Sequence, residues 1–444
     1  MGEARGRTRA HVARRASASS DTRSAVGRLL ELEIGAVANG GSCVARHEDL
    51  VVFVRHTLPG ESVRARVTEG RDGDRFWRAD AVEILRASAD RVPAPCRWAG
   101  PGGCGGCDWQ HVTPAAQREL KAAVLSEQLR RVGRLDLAPV VEALPGAADG
   151  SGWRTRLRFA VDRSGRAGLR RHRSREVVAL DECFIAHPGV NETGVLGAVW
   201  RDTAEVLVTV AGSGERAVVV RAQPDPRGRA GRPSADPPLP ADVTQLAYWP
   251  PGVSAAERVV ETVGGRVYGV PAAGFWQVHP AAAQTLVDAV TEALAPRPGD
   301  VLFDLYGGSG LFAGALAGLV APHGRVVLVE SDAAAVAAAR DNLLGVPGVL
   351  VVAGRVDEVL AGEAEPAADV IVLDPPRTGL GPEVVTAVAA RRPRRVAYVS
   401  CDPATLARDL ATFAERGYRV AGIRAFDLFP HTHHVEAVAT LEPA

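Results

Sequence analysis

Between Val301 and Ser400 the chain repeats one pattern: apolar runs of strand length, VLFDLY, RVVLVE, VLVVAG, DVIVLD and RVAYVS, separated by Ala-rich helical segments. Apolar runs without alternation belong to strands covered on both faces. Strand–helix alternation makes such strands parallel, with helices above and below the sheet. The expected fold class is therefore α/β, a doubly wound, mostly parallel sheet, over residues 264–444. The tail, YRVAGIRAFDLFPHTHHVEAVATLEP, holds two strand-like runs around a turn and predicts an antiparallel last strand.

The remaining text differs in kind. Residues 1–27 lack apolar periodicity and are expected to be a disordered basic tail. Residues 28–88 alternate over short segments broken by Gly, Asn and Asp, as in a small β-barrel of about five strands. Residues 89–263 read as a β-rich middle domain. It opens with a Gly- and Cys-rich knot at 91–111 and an amphipathic helix within 113–134, and carries an exposed insertion, RAQPDPRGRAGRPSADPPLPAD. The net charge of zero shows no global basicity, so any nucleic-acid site must come from local arginine clusters. Lys121 is the only lysine, which reads as compositional bias without functional weight. No apolar run approaches the roughly 18 to 20 residues that span a bilayer, and the N-terminus has no signal-like apolar stretch. A cytoplasmic, membrane-free monomer is expected, and in that reducing compartment the six cysteines are metal ligands or catalytic groups rather than disulfides.

The first strand of the parallel unit runs into Gly307-Gly308-Ser309-Gly310 and a helix, and Glu330 ends the next strand twenty residues past Gly310. Glycines let backbone N–H groups approach a ligand at a helix start, and an acid at that distance can bind ribose hydroxyls. A nucleotide-like cofactor follows, and a dinucleotide remains open at this point. Asp374-Pro375-Pro376-Arg377, at the end of the fourth strand, places a carboxylate at the crevice of such a sheet. Gly loop, Glu330 and Asp374 together look like the class I S-adenosylmethionine-dependent methyltransferase fold.

An Asp-Pro-Pro motif alone suits methylation of an exocyclic base nitrogen, where a lone pair is already available. Tyr398-Val399-Ser400-Cys401-Asp402-Pro403 adds a thiol at the same sheet edge. Carbon 5 of a pyrimidine is a poor nucleophile, and a thiolate added at carbon 6 makes it enolate-like. Cys401 is the candidate nucleophile. Glu436, in Phe429-Pro430-His431-Thr432-His433-His434-Val435-Glu436, is the candidate base for the carbon 5 proton, against a reading as a solvent-facing carboxylate. The three histidines lack the spacing of a metal set.

Cys96, Cys104 and Cys107, with Cys183 far downstream, supply four thiolates, which suit tetrahedral zinc or a [4Fe–4S] cluster. The three-plus-one grouping favours iron–sulfur. In WRTRLRF, Arg154, Arg156 and Arg158 alternate with apolar residues, which would line three charges on one strand face for RNA phosphates, with Phe159 available to stack on a base. Arg170, Arg171, Arg173 and Arg175 lie further along the same stretch.

GFWQVHP (Gly274–Pro280), DLYGGSG, LDPPR, SCDPATLARD and FPHTHHVE occur in one order. In these motifs the chain resembles the bacterial RNA (uracil-5-)-methyltransferases, nearest to the iron–sulfur, TRAM-domain type acting on ribosomal RNA. The resemblance implies that Gln277, Tyr306, Glu330 and Asp374 contact S-adenosylmethionine, that Cys401 and Glu436 are nucleophile and base, and that the four-cysteine set holds a [4Fe–4S] cluster. It further implies that the barrel is a TRAM domain and that structured RNA, ribosomal before transfer RNA, is the partner. Two departures stand out: Leu311 replaces a frequently polar cofactor contact, and the interval from Cys96 to Cys104 is two residues longer than is common. The competing readings are a transfer-RNA enzyme, a base N-methyltransferase that does not use Cys401, and a non-catalytic iron–sulfur RNA-binding factor.

Overall fold

The structure, a computed structural model, describes residues 23–224, 243, 245–249, 258–362 and 367–444. β1 (Leu29–Val37), β2 (Cys43–His47), β3 (Leu50–Arg55), β4 (Ser62–Glu69) and β5 (Phe76–Arg86) close into a barrel in the order β1-β2-β3-β5-β4. Alternation drives closure: Leu30, Leu32 and Ile34 point inward from β1 and meet Val52, Val54, Val63, Ala65 and Trp77. The expected disorder of residues 1–27 needs correction at its end. Residues 1–22 lie outside the described residues, whereas Ala25 is buried and its amide donates to the Gly70 carbonyl at 3.0 Å. Backbone hydrogen bonds fasten this extension, and they leave no side-chain period to read.

Glu61, with no exposed side-chain surface, ties the barrel to the knot. Its carboxylate accepts the amides of Leu58 and Ser88 and pairs with Arg91 Nε at 2.5 Å. Beyond the knot, Thr113 caps α1 (Pro114–Arg131), and β6 (Val141–Ala143) comes after it.

β7 (Arg156–Val161), β8 (Ala167–Arg170), β9 (Val177–Ala179), the single-turn α2 (Pro188–Asn191), β10 (Thr203–Val210), β11 (Arg216–Ala222) and β12 (Gln245–Trp249) come next. The strands form a six-stranded sheet ordered β12-β11-β10-β7-β8-β9. Most of the expected insertion, from residue 225 to 242, lies outside the described residues. A hairpin of β13 (Arg258–Val263) and β14 (Arg266–Pro271) leads onward.

The alternating unit then runs α3 (Ala282–Leu294), β15 (Val301–Leu305), α4 (Leu311–Val320), β16 (Arg325–Glu330), α5 (Ala333–Asn342), β17 (Val349–Ala353), α6 (Val356–Ala361), β18 (Val370–Leu373), α7 (Gly381–Ala390), β19 (Arg395–Ser400), α8 (Pro403–Glu415), β20 (Tyr418–Asp427) and β21 (Glu436–Pro443). Its eight-stranded sheet is ordered β17-β16-β15-β18-β19-β21-β20-β6. The first five strands are mutually parallel, and β21 runs antiparallel between β19 and β20, as the tail predicts. One apolar cluster packs α3 and α4 on one face; a second packs α1, α6, α7 and α8 on the other.

The stretch 89–263, expected as one unit, is divided. α1 packs on the second sheet face, and β6 joins the eight-stranded sheet beside β20. The hairpin begins at Arg258 and shares the first cluster. A three-residue strand is too short to display a period, so β6 was not legible in the sequence. Among the described residues no helix is long and apolar enough to cross a membrane.

Removing one partner of a buried ion pair leaves an uncompensated charge. Arg91→Met is therefore expected to destabilise the protein by about 3 kcal/mol, read from the midpoint of a denaturant unfolding curve.

Candidate functional site

The carboxyl ends of the parallel strands gather the candidate residues at one edge. Leu305 pairs with Val329 and Leu373, and Leu373 with Tyr398, so Tyr306, Glu330, Asp374 and Cys401 emerge side by side. Ser400 pairs with Ala437 in the antiparallel ladder, which puts Cys401 and Glu436 opposite each other one step beyond it.

The Gly loop follows β15 closely. A Cβ on Gly307 would lie 2.5 Å from Leu328 Cγ, and Gly310, the residue before α4, has a φ of 91° that side chains disfavour. Tyr306 also has a positive φ, 66°, which turns the chain out of the strand. Glu330 Oε2 accepts the Gly308 amide at 3.0 Å, while Oε1 accepts the amides of Ser331 and Asp332. Leu311 is buried in the first cluster, and its carbonyl accepts the Tyr268 hydroxyl.

Gln277 is buried in the segment between β14 and α3. That segment is fastened to the six-stranded sheet: Thr155 donates twice to the Val278 carbonyl, and Arg156 Nη1 donates to the Gly274 carbonyl at 2.8 Å. The expected arginine face is thereby corrected. Arg156 is 5% exposed and serves backbone carbonyls and Glu261, and Phe159 is fully buried in the sheet core. Arg154 is half-buried, with its Nε on the Arg156 carbonyl. Of the three, Arg158 alone is exposed; with Arg170 and Arg221 it surrounds the half-buried Glu205. One face of this strand packs against a core on both of its ends, so alternation did not mean solvent.

Cys401 is held by the helix cap next to it. Asp402 caps α8, its Oδ1 accepting the amides of Ala404 and Thr405 at 3.0 and 2.9 Å. Burial, then the charge of Glu436, pushes the Cys401 thiol up to about 12, with Arg377 opposing. Glu436 is 4% exposed. Burial and Asp374 push its carboxyl well above the usual range, again against Arg377. Burial and Asp304 push Asp374 up to about 7. The arrangement is a cluster of desolvated acids beside a neutral thiol, a setting that a cationic ligand would relieve.

Two residues of this edge were not singled out from the sequence. Asp304 is fully buried, its Oδ2 accepting the Ala313 amide at 2.8 Å and its Oδ1 lacking a protein partner. An acid inside the apolar run VLFDLY was the available signal. Asp409 accepts the Tyr398 hydroxyl and the Leu380 amide, both at 2.8 Å, and so fixes the segment after Asp374 to α8.

The histidines of the 428–435 segment fasten it. His431 Nε2 donates to the Asp149 carbonyl at 2.7 Å, and its carbonyl accepts the amides of Asp108 and Trp109. His433 Nδ1 meets Asp108 Oδ2 at 2.6 Å, and His434 faces Arg377. Cys104 and Cys107 pack around the cluster that contains Cys183, and Cys183 couples electrostatically with each of Cys96, Cys104 and Cys107. Arg154 feels three of them. Burial pushes the Cys104 thiol up to about 11. As they stand, no three His, Cys, Asp or Glu side chains among the described residues have the spacing of a metal site.

Comparison with known proteins gives consistent likenesses. Residues 364–443 match the family described as tRNA (Uracil-5-)-methyltransferase, and residues 23–82 match the TRAM domain. The chain is 49% identical over 434 residues to an uncharacterized RNA methyltransferase of Streptomyces avermitilis, covering 94% of this chain and 99% of that one. It is 34% identical over 451 residues to the 23S rRNA (uracil(1939)-C(5))-methyltransferase RlmD of Alkalilimnicola ehrlichii, covering 93% and 96%. Among solved structures, the Pyrococcus abyssi tRNA (uracil-54, C5)-methyltransferase in complex with S-adenosyl-L-homocysteine shares the fold, with a TM-score of 0.65 and 23% identity over 93% of this chain and 100% of that one.

Burial pushes Asp304 up to about 7 from an ordinary 3.8. The folded state therefore keeps a proton that the unfolded chain loses, and stability contributed below pH 4 is lost as pH rises through 7. Asp304→Asn can still accept the Ala313 amide and carries no charge. In the ligand-free protein it is expected to match wild type below about pH 4 and to exceed it at pH 8 by up to roughly 4 kcal/mol, measured by thermal unfolding across that range.

Proposed function

The chain belongs to the S-adenosylmethionine-dependent uracil-C5 RNA methyltransferase family, and on that premise we propose that it methylates carbon 5 of a uridine in structured RNA, ribosomal rather than transfer RNA, through a covalent Cys401 adduct. The observation that carries this reading is the placement of Cys401 opposite Glu436, one step past the Ser400–Ala437 pair, at the edge that also presents Asp374. A base N-methyltransferase has no use for a thiol facing a buried carboxylate.

In the proposed reaction the Cys401 sulfur, its proton passed to solvent, adds to carbon 6 of the uracil. The resulting enolate attacks the methyl group of the sulfonium: a carbon–carbon bond forms at carbon 5 and the sulfur–methyl bond breaks, leaving S-adenosylhomocysteine. Glu436 then takes the proton from carbon 5, the carbon 5–carbon 6 double bond re-forms, and the Cys401 sulfur leaves. A thiol pushed up to about 12 is a weak nucleophile, so a positive cofactor would share a second task with Arg377, lowering the cost of the thiolate. In this reading the cofactor lies along the edge of Tyr306, Glu330 and Asp374, with Gln277 as a further contact. The target base must leave its stack, since carbons 5 and 6 are shielded within one. Arg158, Arg170 and Arg221, with the barrel, supply the RNA contacts in this reading, and their phosphate contacts make binding salt-dependent.

Cys96, Cys104, Cys107 and Cys183 fit a [4Fe–4S] cluster in number and donor chemistry. Four thiolates bring negative charge into a buried setting, and the half-buried Arg154 stands near three of these thiols with charge of the opposite sign. The cluster would tie the knot to the six-stranded sheet, and methyl transfer requires no redox step from it.

Cys401→Ala is expected to lower 5-methyluridine formation from unmodified RNA by at least about a thousand-fold, read by nucleoside mass spectrometry. Glu436→Gln is expected to slow turnover by roughly a hundred- to ten-thousand-fold while accumulating a denaturation-stable protein–RNA adduct that carries the transferred methyl. Persistent activity in Cys401→Ala would return the N-methyltransferase reading. Protein purified without oxygen should contain iron and acid-labile sulfide in equal amounts, with both falling together in Cys104→Ser; stoichiometric zinc with no sulfide would identify a zinc site.

A further inference from the structure

One lysine stands among the 52 lysines and arginines of this chain, and the fold encloses it completely: the Lys121 side chain is 0% exposed. Compositional bias accounts for arginine elsewhere but not for this exception. Lys121 Nζ lies 2.5 Å from Asp427 Oδ1 and 3.0 Å from the Phe429 carbonyl oxygen. Two acceptors in a closed space suit a compact ammonium on a thin stem; a planar guanidinium with five donors would need more room and more partners. Burial pulls the Lys121 ammonium down and Asp427 opposes it. An enclosed pair of this kind contributes little net stability, because apolar groups of equal volume do as well. What it determines is position.

The position in question is the segment that delivers Glu436. Asp427 ends β20, Phe429 lies two residues further, and Glu436 opens β21 opposite Phe426. Gln117 stands four residues before Lys121, on the same face of α1, and is also fully buried. Its Oε1 accepts the His431 amide at 2.6 Å, and its Nε2 meets the His431 ring and the Val112 carbonyl. α1 thus grips the segment at Asp427, Phe429 and His431, yet none of the residues assigned to the reaction lies on α1.

We propose that Lys121 is a positioning residue for proton abstraction: with Gln117 it fixes the path from β20 to β21 and thereby sets where Glu436 meets the carbon 5 proton. The inference rests on the assignment of Glu436 as the base.

Lys121→Met alone strands the buried Asp427 carboxylate and is expected to unfold readily. The informative protein is the full-length double variant Lys121→Met/Asp427→Leu, which removes both charges at similar volume. Its melting temperature is expected to stay near that of wild type, while amides 428–436 exchange hydrogen at least about ten-fold faster. With S-adenosylmethionine and unmodified RNA, kcat should fall about ten- to a hundred-fold, KM for S-adenosylmethionine should hold within about two-fold, and the methylated protein–RNA adduct should accumulate. Unchanged exchange and unchanged kcat overturn the proposal, as does a loss of activity without adduct, which would put the effect before proton abstraction. If wild type forms neither 5-methyluridine nor adduct, the assignment of Glu436 falls instead. Exchange then still decides the grip: unchanged rates overturn it, and faster rates retain it.

Discussion

β21 enters the eight-stranded sheet between β19 and β20, antiparallel to both, and the candidate chemistry depends on that ladder. Because a strand's side chains alternate faces, a slip of one residue would turn Glu436 away from Cys401 and exchange the side chains that β21 gives to the two cores. Ala437, Val438, Ala439 and Leu441 are all buried, so the register is held by the core clusters on both sheet faces. The position of a polar group at the edge is therefore a consequence of apolar packing along the whole strand.

The same edge gathers acids in a desolvated setting. Asp304, Asp374 and Glu436 are each pushed up by burial and then by a neighbouring acid, and Cys401 is pushed up beside them. A site that collects groups of one sign and withholds water from them is poised for a ligand of the other sign. Arg377 supplies part of that compensation from the chain itself. Such local conflict is expected at a functional site and is tolerated because large cores surround it.

Bracing comes from regions remote in sequence. Asp108, adjacent to Cys107, binds His433 and lies near Arg55 of the barrel, while α1 holds Asp427, Phe429 and His431. Barrel, knot and helix thus converge on one eight-residue segment, 428–435, which His431 and His433 fasten. The six-stranded sheet braces the other side, through Thr155 and Arg156, at the segment carrying Gln277.

The sequence by itself determined the element types and the chemistry-bearing motifs. Uninterrupted apolar runs could only be doubly covered strands, and Gly307–Gly310, Asp374, Cys401 and Glu436 each sit at a strand end where the period stops. Local physics suffices there, because solvent exclusion and turn chemistry leave marks on neighbouring residues. Tertiary structure decided what depends on partners distant in the chain. Arg156 looks like part of a basic face and is in fact enclosed, Asp304 is an orphaned buried acid, β6 joins a sheet assembled from residues more than a hundred positions away, and Lys121 is a buried clamp rather than a compositional accident. Burial and pairing of charge are properties of the packed chain, and no window of sequence contains both sides of the contact.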